Sequence, residues 1–331
     1  MIAIGSLPHT DVEAATRLML DAFPEVASWP QLPRLSFREN MYAQYSEGMP
    51  GIRVDADGKR IWFQMDDALA AEMEEFYQAV IDEDLERFRI SRDYAAGLDL
   101  LLGGAFADEL AGRPYVKGHV TGPISYGLTV TDQNKRASLY DESLEQAITK
   151  ALTLKGRWQS RELRRAAPGA SVVIFYDEPY LHSVGSALIS VSREQVVNDI
   201  KECLDGCGAD ITGVHCCGNT DWSLVFATGV DVVHFDAYEY MEPFVAYDAE
   251  IGEHLERRLD RLGYRSQGRE RAHGGLGRAG ENARGRFRRP REARDRQGIA
   301  GTEVDGFTVV WPGVGDRGSR GEGACAHSRG V

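Results

Sequence analysis

Short β-branched and apolar runs recur through the first 250 or so residues, each followed by a helical stretch, with polar residues collected where the runs end. That alternation points to βα units around a parallel sheet, because parallel neighbours need a crossover of a dozen or more residues between them. Ile2-Ala3-Ile4-Gly5-Ser6-Leu7 reads as a first strand. Thr10-Asp11-Val12-Glu13 has capping-box spacing for a helix continuing through Ala14, Leu18 and Phe23. Tyr115 to Val120 reads as a strand closed by Thr121-Gly122-Pro123, and a charged amphipathic helix follows from Asp141 to about Arg165. Ser171 to Tyr176 is almost continuously apolar, as a strand covered on both faces should be, and stops at Asp177-Glu178-Pro179. A helix over Ser192–Leu204, a strand over Ile211–His215, a short helix over Asp221–Thr228 and a strand over Val230–Asp236 complete the series. The expected fold is a (β/α)8 TIM barrel incomplete at its C-terminus, with the active site on the rim formed by the C-terminal strand ends. The 331 residues are enough for one.

Composition narrows the class of function. No apolar run approaches the roughly 20 residues of a membrane span, and the start lacks the basic and apolar regions of a signal peptide. A cytoplasmic protein with no membrane partner is expected. Five cysteines, at 203, 207, 216, 217 and 325, are odd in number and clustered, which suits metal or thiol chemistry better than a disulfide framework. The formal charge of −13 conceals a break at Arg257. From there to the end stand 17 Arg, no Lys and 9 acidic residues, a balance of +8 against −21 for residues 1–256. So acidic a body disfavours nucleic acid as a partner.

Val214-His215-Cys216-Cys217-Gly218-Asn219 is the sharpest constellation. In an extended chain side chains repeat every second residue, so His215 and Cys217 project together, and both are ligand types that zinc favours. Packing of all three as buried residues is the open alternative. Asp236 ends the next strand, with Glu239 nearby, and reads either as a further ligand or as a helix N-cap. The Asp177-Glu178 pair can hold a substrate ammonium, serve as base, or cap the following helix. Cys203 and Cys207, one helical turn apart, read as packing residues.

Together, Ile4-Gly5-Ser6-Leu7-Pro8, Thr121-Gly122-Pro123-Ile124, Asp177-Glu178-Pro179, His215-x-Cys217 and the strand Asp231–Asp236 resemble the catalytic domain of cobalamin-independent methionine synthase. The wider superfamily includes uroporphyrinogen decarboxylases and corrinoid-linked thiol methyltransferases. The resemblance implies that Ile4 and Ser6 help to hold homocysteine, that Asp177 binds its amino group, and that His215, Cys217 and Asp236 ligate Zn2+. Zinc would hold the homocysteine sulfur as a thiolate ready to accept a methyl group. Three departures bear on the donor. The long N-terminal half of the full-length synthases is missing, Ser183 stands where they carry a folate-contacting acid, and His-Cys-Cys-Gly-Asn is closer to the corrinoid-linked pattern. A methylated corrinoid protein is therefore the expected donor. The alternatives are a metal-free decarboxylase of the porphyrinogen type and a non-catalytic protein with a basic binding arm.

Such a zinc site also needs a cysteine near the C-terminus in a Pro-x-Cys-Gly setting, and Cys325, in Gly-Ala-Cys-Ala-His, does not match. The segment 257–331 holds 16 Gly and has little hydrophobic periodicity. Read literally it is a disordered basic arm. It also reads as a frameshift product. Codons for Arg257–Gln267 can be chosen that, one base forward, spell Gly-Val-Ser-Ile-Ala-Trp-Gly-Ile-Val-Pro. For Phe307–Gly313 the same shift yields Ser-Pro-Ser-Cys-Gly-Leu, the missing motif. The expected organisation is a barrel domain over 1–256 and an Arg/Gly-rich tail over 257–331. The tail is expected to lack packed regular structure and the chain to bind zinc weakly if at all.

Overall fold

The computed structural model describes residues 2–187, 189–261 and 307–309, with side chains described as far as Arg257. Its compact units are residues 1–234 and 235–331. The architecture is mixed α/β, and its centre is a curled, all-parallel sheet of five strands. These are β1 (Val26–Ser28), β4 (Tyr115–Thr121), β6 (Ser171–Asp177), β7 (Ile211–Cys216) and β8 (Val232–Asp236), side by side in that order. Each strand in this sheet neighbours the next along the chain, as serial βα winding requires. Between β1 and β4 an excursion forms a second, small sheet. There β2 (Ile52–Asp55) pairs antiparallel with β3 (Arg60–Phe63), and β3 pairs in parallel with the two-residue β5 (Thr131–Asp132).

The helices are α1 (Val12–Ala22), α2 (Leu69–Ile81), α3 (Ala96–Leu102), α4 (Ala107–Leu110), α5 (Pro123–Thr129), α6 (Glu142–Ala166), α7 (Arg193–Gly206) and α8 (Trp222–Ala227). Side chains set several of their starts. Asp141 accepts from the amides of Ser143 and Leu144, Ser192 from that of Gln195, and Asp221 from that of Ser223. Each satisfies an amide that the first helical turn would leave orphaned. On the outer face of the sheet Val116, Val120, Val172, Ile174 and Tyr176 are fully buried. Tyr176 hydroxyl reaches the Leu152 carbonyl of α6.

Two sequence expectations need correction. Ile2–Leu7 forms no strand, and its ladder is reduced to one parallel bridge between Ser6 and Gln31. Only Gly5 O and Leu7 N find backbone partners there, both on Gln31, so the segment is extended but not paired along its length. The first helix is capped by Asp11 rather than Thr10, its carboxylate accepting from the amide of Ala14.

Within the second unit lie the end of β8, α9 (Ala237–Phe244), α10 (Asp248–Arg261) and a three-residue strand, β9 (Phe307–Val309). The helix α10 thus continues past the composition break at Arg257. Apart from β9, the rest of the Arg/Gly-rich tail, Cys325 included, lies outside the described residues. Among the described residues no helix is long and apolar enough to cross a membrane.

Candidate functional site

Strand register fixes which side chains meet. Thr121 of β4 pairs with Asp177 of β6, and Asp177 pairs with His215 of β7, so the three occupy one row at the C-terminal strand ends. Two residues back, His119 lies beside Phe175 and Phe175 beside Gly213; one step further, Lys117 lies beside Val173. Because side chains alternate, all of these share the inner face. That face is polar where a barrel core would be aliphatic.

Lys117 is fully buried. Its ammonium donates to the Ile4 carbonyl at 2.9 Å and lies 4.9 Å from the centre of the Phe175 ring. Burial pushes the Lys117 pKa down, against the pull of the Asp177 charge. Asp177 shifts the opposite way, raised by burial and held back by Lys117. The residue is half-buried, yet its Oδ1 is sealed from solvent and has no hydrogen-bond partner. His119 stacks on Trp29, with ring centroids 3.9 Å apart, and burial holds it neutral. Its carbonyl accepts from the Tyr45 hydroxyl at 2.7 Å and from Gln159 at 2.9 Å.

The His119 ring roofs Gly5. A Cβ on Gly5 would sit 2.6 Å from His119 Cε1, and the Gly5 φ of 142° is one that other residues rarely adopt. Gly5→Ala is therefore expected to destabilise the fold by about 2 kcal/mol. Urea unfolding checks this, and an unchanged midpoint would mean that the N-terminal segment carries no share of the fold.

His215 and His234 meet through their Nδ1 atoms at 2.9 Å, with ring centroids 4.9 Å apart. Burial depresses the His215 pKa to about 3 and that of His234 well below its usual value, so both rings are neutral at pH 7. A bond between two Nδ1 atoms of neutral rings requires opposite tautomers. The ring that donates from Nδ1 keeps its lone pair on Nε2, the tautomer suited to metal ligation. Cys217, two residues on, is exposed, whereas Cys216 is buried and its thiol turns to the Gly218 carbonyl. Near Cys217 stands Tyr42, its hydroxyl pKa pushed to about 12 by burial, with the charges of Tyr180, Glu178 and Cys217 adding to the rise.

Of the residues expected from sequence, Ile4, Asp177 and His215 are gathered around Lys117. Ser6 is exposed and bonded to Gln31 at 2.5 Å, with Cys217 on the rim. Glu178 is structural. It is fully buried and accepts from the α5 amides of Ile124 and Ser125. Asp236 belongs to the second unit, where its Oδ1 caps α9 through Tyr238 and Glu239. Cys203 and Cys207 are buried packing residues, as their spacing suggests. Sequence reading passed over Lys117, His119 and His234. The clue lay in polar residues two apart inside runs otherwise apolar.

By donor type His215 and Cys217 suit zinc, but two donors do not close a four-coordinate site. Among the described residues no group of three or more His, Cys, Asp or Glu gathers as a metal site. A scan of protein families finds none that matches the chain, and a search of curated proteins finds no match either.

Proposed function

We propose that this chain is built as a thiol methyltransferase of the methionine-synthase type, on a (β/α)8-barrel plan, with homocysteine or a similar small amino-thiol as acceptor. The observation that carries this reading is the single row of Thr121, Asp177 and His215 on adjacent strand ends, with Cys217 two residues beyond. An amino-thiol needs an anion for its ammonium and a centre that stabilises its sulfur as thiolate. Asp177 supplies the first, with a buried carboxylate oxygen that lacks a partner. Lys117 holds the Ile4 carbonyl, and so sets the position of the Ile4-Gly5-Ser6 backbone, which would line the acceptor. His215, neutral and oriented by His234, and Cys217 would supply two of the zinc ligands. When bound, zinc keeps a thiol ionised at neutral pH.

The test compares this chain with a version corrected to the shifted frame. The corrected protein is expected to hold about one zinc per chain, lost in His215→Ala and Cys217→Ser, and to methylate homocysteine. Methylcobalamin or a corrinoid protein as donor, set against methyl-folate, identifies the donor class. Asp177→Asn is expected to weaken homocysteine binding by tenfold or more, about 1.4 kcal/mol. If the corrected protein holds zinc but neither binds nor methylates a thiol, the reading is wrong.

A further inference from the structure

Away from the strand ends, α2, α6 and α7 line a partly open cavity of about 320 Å³ whose walls include Tyr77, Glu145, Thr149, Lys150, Asp199 and Glu202. Three carboxyl groups face one ammonium. Lys150 is already committed to Glu202 at 2.7 Å, which leaves Glu145 and Asp199 without a cation. Asp199 is only 8% exposed, and its Oδ2 is sealed from solvent with no hydrogen-bond partner. Thr149, 3% exposed, has its hydroxyl in the same condition. A fold does not ordinarily leave two such groups unsatisfied side by side, because each costs about 1–3 kcal/mol.

We propose that this cavity binds an organic primary ammonium, an amine on a short alkyl chain, between the Asp199 carboxylate, the Glu145 carboxylate and the Thr149 hydroxyl. The three N–H donors of an ammonium match three acceptors spread over two helices. Among the described residues no three carboxylates gather as a metal ion requires. The cavity is several times the ~30 Å³ of one water, leaving room for an alkyl chain. The Tyr77 ring supplies a face that favours a cation. Without a ligand the repulsion is relieved by a proton: Asp199 is bonded to Glu145, and burial, that bond and the charges of Glu145, Glu178 and Glu202 raise its pKa. An arriving ammonium takes the place of that proton, so its affinity rises with pH. The inference is independent of the methyltransferase reading.

The test uses the full chain, with butylammonium and 1,4-diaminobutane as probes and tetramethylammonium, which has no N–H donor, as control. Calorimetry and thermal melting are run at constant ionic strength at pH 6 and pH 8.5. The N–H amines are expected to bind at least tenfold more tightly at pH 8.5 than at pH 6, and tetramethylammonium not at all. Asp199→Asn is expected to lower amine affinity at least tenfold and to flatten the pH dependence. That variant should fold. A raised carboxyl pKa gives stability below the ordinary value near 3.8 that is lost as pH rises, so removing the charge leaves the protein at least as stable at pH 8. Glu145→Gln is the second variant and should weaken amine binding in the same direction. Equal binding of tetramethylammonium, amine affinity unchanged in both variants, or calcium binding where the amines fail would each overturn the proposal.

Discussion

Replacing Glu178 with alanine is expected to lower the free energy of unfolding by roughly 3–5 kcal/mol. Glu178 is fully buried, and its carboxylate accepts from Ile124 N at 3.0 Å, Ser125 N at 2.7 Å and Ser125 Oγ at 2.6 Å. Ser125 Oγ accepts in turn from Tyr180 N at 2.9 Å. One carboxylate therefore closes the N-terminus of α5 and ties it to the turn after β6. Gly122 leaves it room, since a Cβ there would lie 2.2 Å from the carboxylate. Alanine would strand three donors in a site that water does not reach. Glutamine should recover less than half of the loss, because its amide brings N–H groups toward donors. Burial raises the Glu178 pKa from 4.5 to about 7, winning over the Ser125 and Ile124 bonds that lower it. The group thus contributes stability below pH 4.5 that is lost as pH rises through about 7, and Glu178→Ala should flatten that part of the profile. Chemical denaturation between pH 4 and pH 8 measures both effects. A loss under about 1 kcal/mol would show that α5 holds its start without this residue.

Where sequence and structure agree, the agreement has a local cause. The strands β4, β6, β7 and β8 carry short runs rich in apolar and β-branched residues, and Asp141, Ser192 and Asp221 cap the helices that sequence alone bounded to within about two residues. The failures also have causes. Ile2–Leu7 has strand-like residues, but strand pairing needs a partner edge, and only Gln31 meets it. The small sheet escaped because β2 and β3 are four residues each, β5 is two, and their burial does not alternate. At the candidate site, Asp177, His215 and Cys217 are legible because they end runs. Lys117, His119 and His234 sit inside runs, where a polar residue is ambiguous until it is known what the inner face holds. Register supplies that knowledge, placing Lys117 and His119 on the face of Phe175, Asp177 and His215.

Lys117 gives the most informative perturbation of that face. Lys117→Met keeps an unbranched side chain, one atom shorter, and removes its charge, and a loss of roughly 3 kcal/mol at pH 8 is expected. Two things go at once: the donor to the Ile4 carbonyl at 2.9 Å, and the positive charge that restrains the Asp177 pKa. With Lys117 gone the Asp177 pKa rises further. A carboxyl so shifted contributes stability below its ordinary value near 3.8 that is lost as pH rises through the raised value. The penalty in Lys117→Met should therefore be largest at pH 8 and shrink toward pH 5, where Asp177 carries a proton. Hydrogen exchange should quicken at Leu7 and Gln31, whose amides bond across the bridge that Lys117 steadies. Adding Asp177→Asn separates charge from packing. If the cost is an uncompensated buried carboxylate, the double variant recovers to within about 1 kcal/mol of the parent, because losing both partners costs less than losing one. If the double variant stays as unstable as the single one, the Lys117 stem and its bond to Ile4 carry the effect. In the first case the Asp177 carboxylate and the N-terminal segment are held in place by one buried ammonium, and a polar inner face is the cost of positioning them.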